Sequence, residues 1–312
     1  MSGVPVAAVQ RLLASAEECA TGPLRPLGWS ELLDLDVAAA QAPRFKVDVS
    51  FALLGRGEGG ARFSVNDKGE EAAFRERLND NAPALDIPRP LLDAFLSLSP
   101  PGAVQTTFGV KWPHEGGDPH RVTLYHEELF RSPRGPSIIA ALFGIAGVDD
   151  APPPRAGLEP GAVCVDVAGA TIVGLKDYWI ATETSREPAL TLPEPLEAFR
   201  RATPFSTERG TRRYLVARRF DADGRPNGHK LLWMSEAHDR AAAERAWAFV
   251  DRARRELKLP TTQPARAMDA LRHTWSHPAL LYPDLVSLDL DADERPRGLT
   301  VYVSLKGTSA SG

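Results

Sequence analysis

Of the seven lysines in this 312-residue chain, five fall in segments whose side chains alternate between polar and apolar: Lys46, Lys111, Lys176, Lys230 and Lys306. A strand sends successive side chains to opposite faces, so such a segment has one apolar and one polar face. Lys46, Lys111, Lys176 and Lys306 lie on polar faces directly, and Lys230 does so if Leu231 and Trp233 point the other way. Cations that converge from several strands suit an anionic ligand such as a diphosphate. The same faces carry Arg62 and Arg121, the carboxylates Asp48, Glu127, Asp166 and Asp289, and the tyrosines Tyr125, Tyr178 and Tyr302. Carboxylates can take or hold a proton, and tyrosine faces can stabilise a cation.

The segments that position these residues come in pairs. "RFKVDVSFALL" and "ARFSVND" make a hairpin across "GRGEGG", with Phe45, Val47, Val49 and Phe51 opposite Lys46, Asp48 and Ser50. "AVQTTFGVKW" and "RVTLYHEEL" make a second, and "AVCVDVAG" and "ATIVGLKDYWI" a third around Gly169. "RRYLVARRFD" with "HKLLWMSE" and "LVSLDLDAD" with "GLTVYVSLKG" complete five. Between them lie stretches of helical period: "VAAVQRLLASAEE", "WSELLDLDVAAAQ", "EEAAFRERLND", "IPRPLLDAFLSLS", "PSIIAALFGIAG", "LPEPLEAFRRA", "RAAAERAWAFVDRARREL" and "PARAMDALRHTW".

The predicted fold class is therefore α+β: five αββα repeats forming a ten-stranded antiparallel β-barrel ringed by helices. Closure removes exposed strand edges, and the helices bury their apolar stripes on the outer wall. The polar faces then line a lumen. It is too polar for a dry core, and a barrel wider than about eight strands encloses a cavity. The proline-rich "DDAPPPRAGLEPG" reads as a loop and not a boundary, because the hairpin rhythm continues across it; residues 1–312 make one domain.

That element order resembles the aromatic prenyltransferases of the ABBA, or PT-barrel, type, over nearly the whole chain from about Val4 to Lys306. "RVTLY" offers Arg121 and Tyr125, "LKDYW" offers Lys176 and Tyr178 in a Lys-x-Tyr pattern, "LTVYVSLK" offers Tyr302 and Lys306, and "ARFSV" offers Arg62. "HKLLW" keeps Lys230 but has Leu232 where the pattern would place a tyrosine. The resemblance implies transfer of a prenyl group from an allylic diphosphate, such as dimethylallyl diphosphate, to an aromatic acceptor: an indole, a phenol or a peptide side chain. It assigns the diphosphate to Arg62, Lys111, Arg121, Lys176, Lys230 and Lys306, and the shielding of the allylic cation to Tyr125, Tyr178 and Tyr302. Glu127 and Asp48 are favoured as the acid–base carboxylates, with Asp166 and Asp289 as the other candidates. No DDxxD-type motif is present and Asp149–Asp150 reads as surface, so no cofactor is expected and magnesium is not expected to be essential.

Other features point elsewhere less well. "GRGEGG" joins two strands, whereas a dinucleotide fingerprint needs strand, loop and helix. His273 and His277 are spaced like ligands on a helix face but lack a third partner. Cys164 has lumen parity and admits a pentein-like, guanidine-modifying enzyme, for which no partner histidine is evident. A non-catalytic barrel that binds a small anionic or aromatic ligand would use the same lumen. The tryptophans Trp112, Trp179, Trp233 and Trp247 read as core. A formal net charge of −4 gives no argument for nucleic acid or membrane, and no run of about 18 apolar residues exists. The N-terminus lacks the form of a signal peptide, and Cys19 and Cys164 make no disulfide framework, so a cytoplasmic location is expected.

Overall fold

The computed structural model describes Leu12 and residues 45–54, 60–67, 71–83, 85–100, 103–113, 121–182, 213–235, 239–276, 280–293 and 295–306. Strand β1 (Phe45–Leu54) returns as β2 (Gly60–Asp67), followed by helices α1 (Glu71–Asn81) and α2 (Arg89–Ser97). β3 (Gln105–Pro113) and β4 (Arg121–Glu127) lead through a 3-10 turn at Leu129–Arg131 into α3 (Gly135–Ile145). β5 (Glu159–Ala168) pairs with β6 (Thr171–Thr182), and β7 (Arg213–Phe220) with β8 (Pro226–Met234). Helices α4 (Arg240–Glu256) and α5 (Gln263–Thr274) precede β9 (Leu280–Leu290) and β10 (Pro296–Lys306).

The ten strands form a closed barrel in which spatial order follows chain order and β1 seals onto β10. Every pairing is antiparallel, and the seam runs from Asp48↔Ser304 to Leu54↔Gly298. Gly298 is required there, since a Cβ would lie 2.2 Å from the Leu53 carbonyl oxygen. The expected helices "VAAVQRLLASAEE", "WSELLDLDVAAAQ" and "LPEPLEAFRRA" fall outside the described residues, Leu12 apart, so a full αββα unit is described only at the second hairpin, as α2, β3, β4 and α3.

Alternation sorts the strands as expected. Val49, Phe51, Val122, Leu124, Val163, Val165, Leu175, Leu231, Trp233, Val286, Leu288, Val301 and Val303 all face one continuous core with the helices. α3 packs on β5, α4 on β9 and α5 on β1. α4 shows why its residues form a helix: the Asp239 side chain accepts from the Ala242 N–H at 2.7 Å, and Ala243, Ala246, Trp247, Val250 and Ala253 make a buried stripe at helical spacing. Trp233 meets Phe249 edge-on at 5.3 Å. Trp179, Trp233 and Trp247 are core, as their sequence contexts suggested; the Trp112 side chain lies outside the described residues.

Three features differ from the sequence reading. First, four strands begin at least two residues earlier than expected, β5 at Glu159, β8 at Pro226, β9 at Leu280 and β10 at Pro296. Each extension contains a proline next to a register shift, Pro160, Pro226, Pro283 and Pro296, where the ladder does not need the missing N–H. Second, the outer wall is not wholly apolar. Asp177 is fully buried on it and pairs with the Arg218 guanidinium, whose Nη2 also donates to the Pro153 carbonyl at 3.0 Å. That contact ties the proline-rich connector to the barrel, while β4 and β5 on either side of the connector pair directly. Third, hairpins four and five share a turn sequence that the reading did not single out. "DADGRP" and "DADERP" end hairpins four and five, with Asp221 accepting from the N–H groups of Asp223 and Arg225 and Asp291 from those of Asp293 and Arg295.

His126 is a further polar group on the outer wall. It is buried, stacks on Phe95 at 4.1 Å and donates from Nε2 to the Phe95 carbonyl at 3.0 Å. Burial lowers its pKa to about 4, the Phe95 carbonyl opposes this, and the Arg75 charge adds to it. The folded state thus prefers the neutral ring, and its contribution is complete above the unfolded value of 6.5 and lost as pH falls toward 4. Protonating the ring in the folded state should therefore remove about 3 kcal/mol of stability. Thermal melts of the native chain and His126→Leu between neutral and acidic pH check this: the native chain should lose Tm more steeply below the histidine value, and parallel slopes would contradict it.

Candidate active site in the barrel lumen

The face opposite the core carries the polar residues. Two lysines are described there in full, and each holds an aspartate. Lys176 on β6 pairs through Nζ with Asp166 Oδ2 on β5, and Asp166 Oδ1 accepts from Thr123 Oγ1 at 2.6 Å. Lys230 on β8 pairs with Asp289 Oδ1 on β9 at 2.7 Å. Asp289 also accepts from Ser287 at 2.8 Å and, on its other oxygen, from Thr300 at 2.8 Å. Burial alone would raise the Asp289 pKa, but the Lys230 ammonium, the Arg219 charge and the Ser287 hydroxyl together hold it below the ordinary carboxylate value. Asp289 is therefore an anion at neutral pH despite being nearly inaccessible.

Between the two pairs lies an apolar collar. Tyr125, Cys164, Tyr178, Ala217 and Leu232 pack together, one from each of the adjacent strands β4 to β8. The two tyrosine rings are 6.4 Å apart and tilted by 49°. Register explains the grouping: Tyr125 faces Cys164, Cys164 faces Lys176, Tyr178 faces Ala217 and Ala217 faces Lys230. Tyr302 is buried on β10, paired in register with Ser50 and Leu285, outside this collar.

On the other side, Arg62 pairs in register with Lys111 and Lys111 with Arg121. Three cationic residues thus hold neighbouring positions on β2, β3 and β4. Arg121 is half-buried; the side chains of Arg62, Lys111 and Lys306 lie outside the described residues. Asp48 accepts a hydrogen bond from Ser304 across the seam. Glu127 is half-buried at the end of β4, opposite Gln105 and Ala162.

Sequence reasoning passed over Arg219. It lies in register with Lys176 and supplies charge to Asp289. Its parity in "LVARRF" was the available signal, since Leu215, Ala217 and Arg219 share a face. Cys164 does face the lumen, with its sulfur 3.9 Å from the Lys176 Nζ. Among the described residues no histidine joins it: His126 and His229 have outward parity, and His273 is exposed at the end of α5, with Nδ1 2.6 Å from the Asp269 carbonyl. The described residues thus hold no cysteine–histidine pair of the pentein kind. They also place no three His, Cys, Asp or Glu side chains together as a metal group.

The lumen face thus carries two lysine–aspartate pairs beside a cluster that contains two tyrosines. No family model matches the chain, and no curated protein matches it. Solved structures do match. A 5-dimethylallyltryptophan synthase from Streptomyces coelicolor superposes with a TM-score of 0.69 at 16% identity, over 100% of both chains. A 6-dimethylallyltryptophan synthase from Micromonospora olivasterospora, in complex with DMASPP and Trp, superposes with a TM-score of 0.67 at 17% identity, over 97% of this chain and 98% of that one. The prenyltransferase PriB, in a binary complex with product diphosphate, gives 0.62 at 18% identity over 99% of both. This chain has the fold of the ABBA-type aromatic prenyltransferases.

Proposed function

We propose that the chain is an aromatic prenyltransferase: it transfers a prenyl group from an allylic diphosphate to an aromatic acceptor inside the lumen. The observation that carries this reading is the Tyr125–Tyr178 collar, flanked by Lys176 and Lys230, within the fold of proteins solved with DMASPP and tryptophan or with diphosphate. The proposal extends to one domain over residues 1–312 with the full set of five αββα repeats, and to a cytoplasmic location. Among the described residues no helix is long and apolar enough to cross a membrane.

In the proposed reaction the allylic C–O bond breaks and its electron pair leaves with the diphosphate. Lys111, Arg121, Lys176 and Lys230, with Arg62 and Lys306, stabilise that departing charge. Arg219 joins them on the strength of its register with Lys176. Tyr125, Tyr178 and Tyr302 present ring faces to the allylic cation without offering it a strong nucleophile. The closed wall keeps water from quenching it. A π pair of the acceptor ring then forms the new C–C bond, and Glu127 or Asp48 takes the displaced ring proton.

Lys176→Ala tests the electrostatic part. Loss of one preorganised charge-assisted contact should cost about 2–4 kcal/mol in the transition state, or roughly 30- to 1000-fold in rate. The ion pair adds a second consequence: Asp166 would lose its ammonium, so stability should fall by about 1–3 kcal/mol. The double variant Lys176→Ala/Asp166→Asn should recover Tm but not rate. Lys258→Ala, exposed beyond α4, should keep its activity. Product formation from dimethylallyl diphosphate and mixed aromatic acceptors, followed by mass spectrometry with Tm measured in parallel, decides the matter. Equal activity in the Lys176 and Lys258 variants would contradict the proposal.

The reading requires no metal, because the proposed diphosphate ligands are cationic side chains. Turnover should survive EDTA. Complete loss on chelation, with rescue by magnesium, would show that the cations alone do not hold the donor.

A further inference from the structure

The lumen is built in tiers, because each strand sends every second side chain inward. The collar of Tyr125, Cys164, Tyr178, Ala217 and Leu232 takes one residue from each of β4 to β8. Two residues further along these strands in one direction stand Thr123, Asp166, Lys176, Arg219 and Lys230. Two residues further in the other direction stand Glu127, Ala162, Ile180, Leu215 and Met234. The collar thus separates two unlike tiers. The first holds four ionisable side chains, three of them cationic, and the second holds one, the Glu127 carboxylate, beside four apolar residues. Ala162 and Leu215 pack against the collar, as does Leu285, the register partner of Met234. Ile180 and Leu215 are register partners, and both lie against Gly161, where a Cβ would come within 3.3 Å and 3.2 Å of them. Met234 ends β8 and is 53% exposed, the most open member of its tier. Leu231 and Trp233 belong to the outer core, so alternation turns Met234 to the lumen side. A large apolar side chain this open at the rim of a lumen marks a surface that a ligand can cover.

Taking the ionic tier as the diphosphate site, as proposed above, we infer that the tier of Ile180, Leu215 and Met234 seats the aromatic acceptor, and that Met234 is a specificity-determining residue that sets how large a substituent the acceptor ring can carry. The diphosphate leaves toward the ionic tier, so the ring must reach the allylic carbon from the other side of the collar. A step of two residues along a strand is about 7 Å, which places a ring on this tier next to the cation that the collar holds. The tier has the composition a neutral ring needs: aliphatic side chains for its face, and the Glu127 carboxylate, in register with Ala162, to accept an N–H or O–H from its edge. A substituent directed away from the collar points to the rim, where Met234 stands. The unbranched methionine side chain can fold over a small acceptor and swing aside for a larger one, whereas the collar residues are buried and fixed by one another.

The test compares one acceptor ring bare and substituted, with dimethylallyl diphosphate as donor, in the native chain, Met234→Ala and Met234→Trp. Indole and N-acetyltryptophanamide are the first pair, since both are neutral and share a ring; where the native chain prenylates a different ring, that ring takes their place. Met234→Ala should raise the ratio of kcat/KM for the substituted over the bare ring by about tenfold, and Met234→Trp should lower it by about as much, the scale of a size change in an apolar pocket. The KM for dimethylallyl diphosphate should hold in both variants, because the diphosphate lies beyond the collar. Tm should hold as well, because the side chain is exposed. An unchanged ratio in both variants, or a change in donor KM in place of the ratio, overturns this inference and leaves the transferase reading standing. Failure of both variants to fold makes Met234 a residue of the fold and overturns it too. Absence of prenylated product from the native chain with every aromatic acceptor would overturn the transferase reading itself, and this inference with it.

Discussion

A charge inside a closed barrel is stable only beside an opposite charge or a set of hydrogen bonds, and the rest of this lumen follows from that constraint. Helices cover the outer wall with apolar side chains, and alternation along each strand then sends the polar residues inward. Lys176 and Lys230 cannot stand alone there, and the wall provides Asp166 and Asp289 at neighbouring positions. The pairs flank an apolar collar built from one residue on each of β4 to β8. Cations therefore sit beside ring faces, which is the arrangement that heterolysis of an allylic diphosphate needs.

The same constraint operates on the outer wall with a different outcome. Asp177 and Arg218 are buried under the proline-rich connector and fasten it through the Pro153 carbonyl. That pair faces the helical layer and has no route to a lumen ligand, so it belongs to the fold. His126 solves the problem a third way, by staying neutral. Parity alone decides which of these ionisable groups can meet a substrate.

Much of this was legible in the sequence because strand period and closure leave little choice. Once Val122 and Leu124 face out, Thr123 and Tyr125 must face in, and the structure puts Val122 and Leu124 in the outer core and Tyr125 in the collar. The paired state of the lysines was not legible, because it depends on which residues meet across strands. Lys230 and Asp289 are direct register partners, but Lys176 faces Cys164 and reaches Asp166 only diagonally, beside a register shift between Asp166 and Val167. Arg219 escaped notice because it adjoins Arg218 near the end of β7, although the alternation of Leu215 and Ala217 marks it as the inward one of the two. The early starts of β5, β8, β9 and β10 were hidden by prolines that ordinarily end strands.

The central claim is that this lumen turns an allylic diphosphate into a prenylated ring, and coupled product analysis tests it most directly. With dimethylallyl diphosphate and an aromatic acceptor, the account predicts diphosphate release matched mole for mole by acceptor carrying one dimethylallyl group. Binding of the diphosphate without any bond cleavage, or release matched only by dimethylallyl alcohol across all aromatic acceptors, would contradict it.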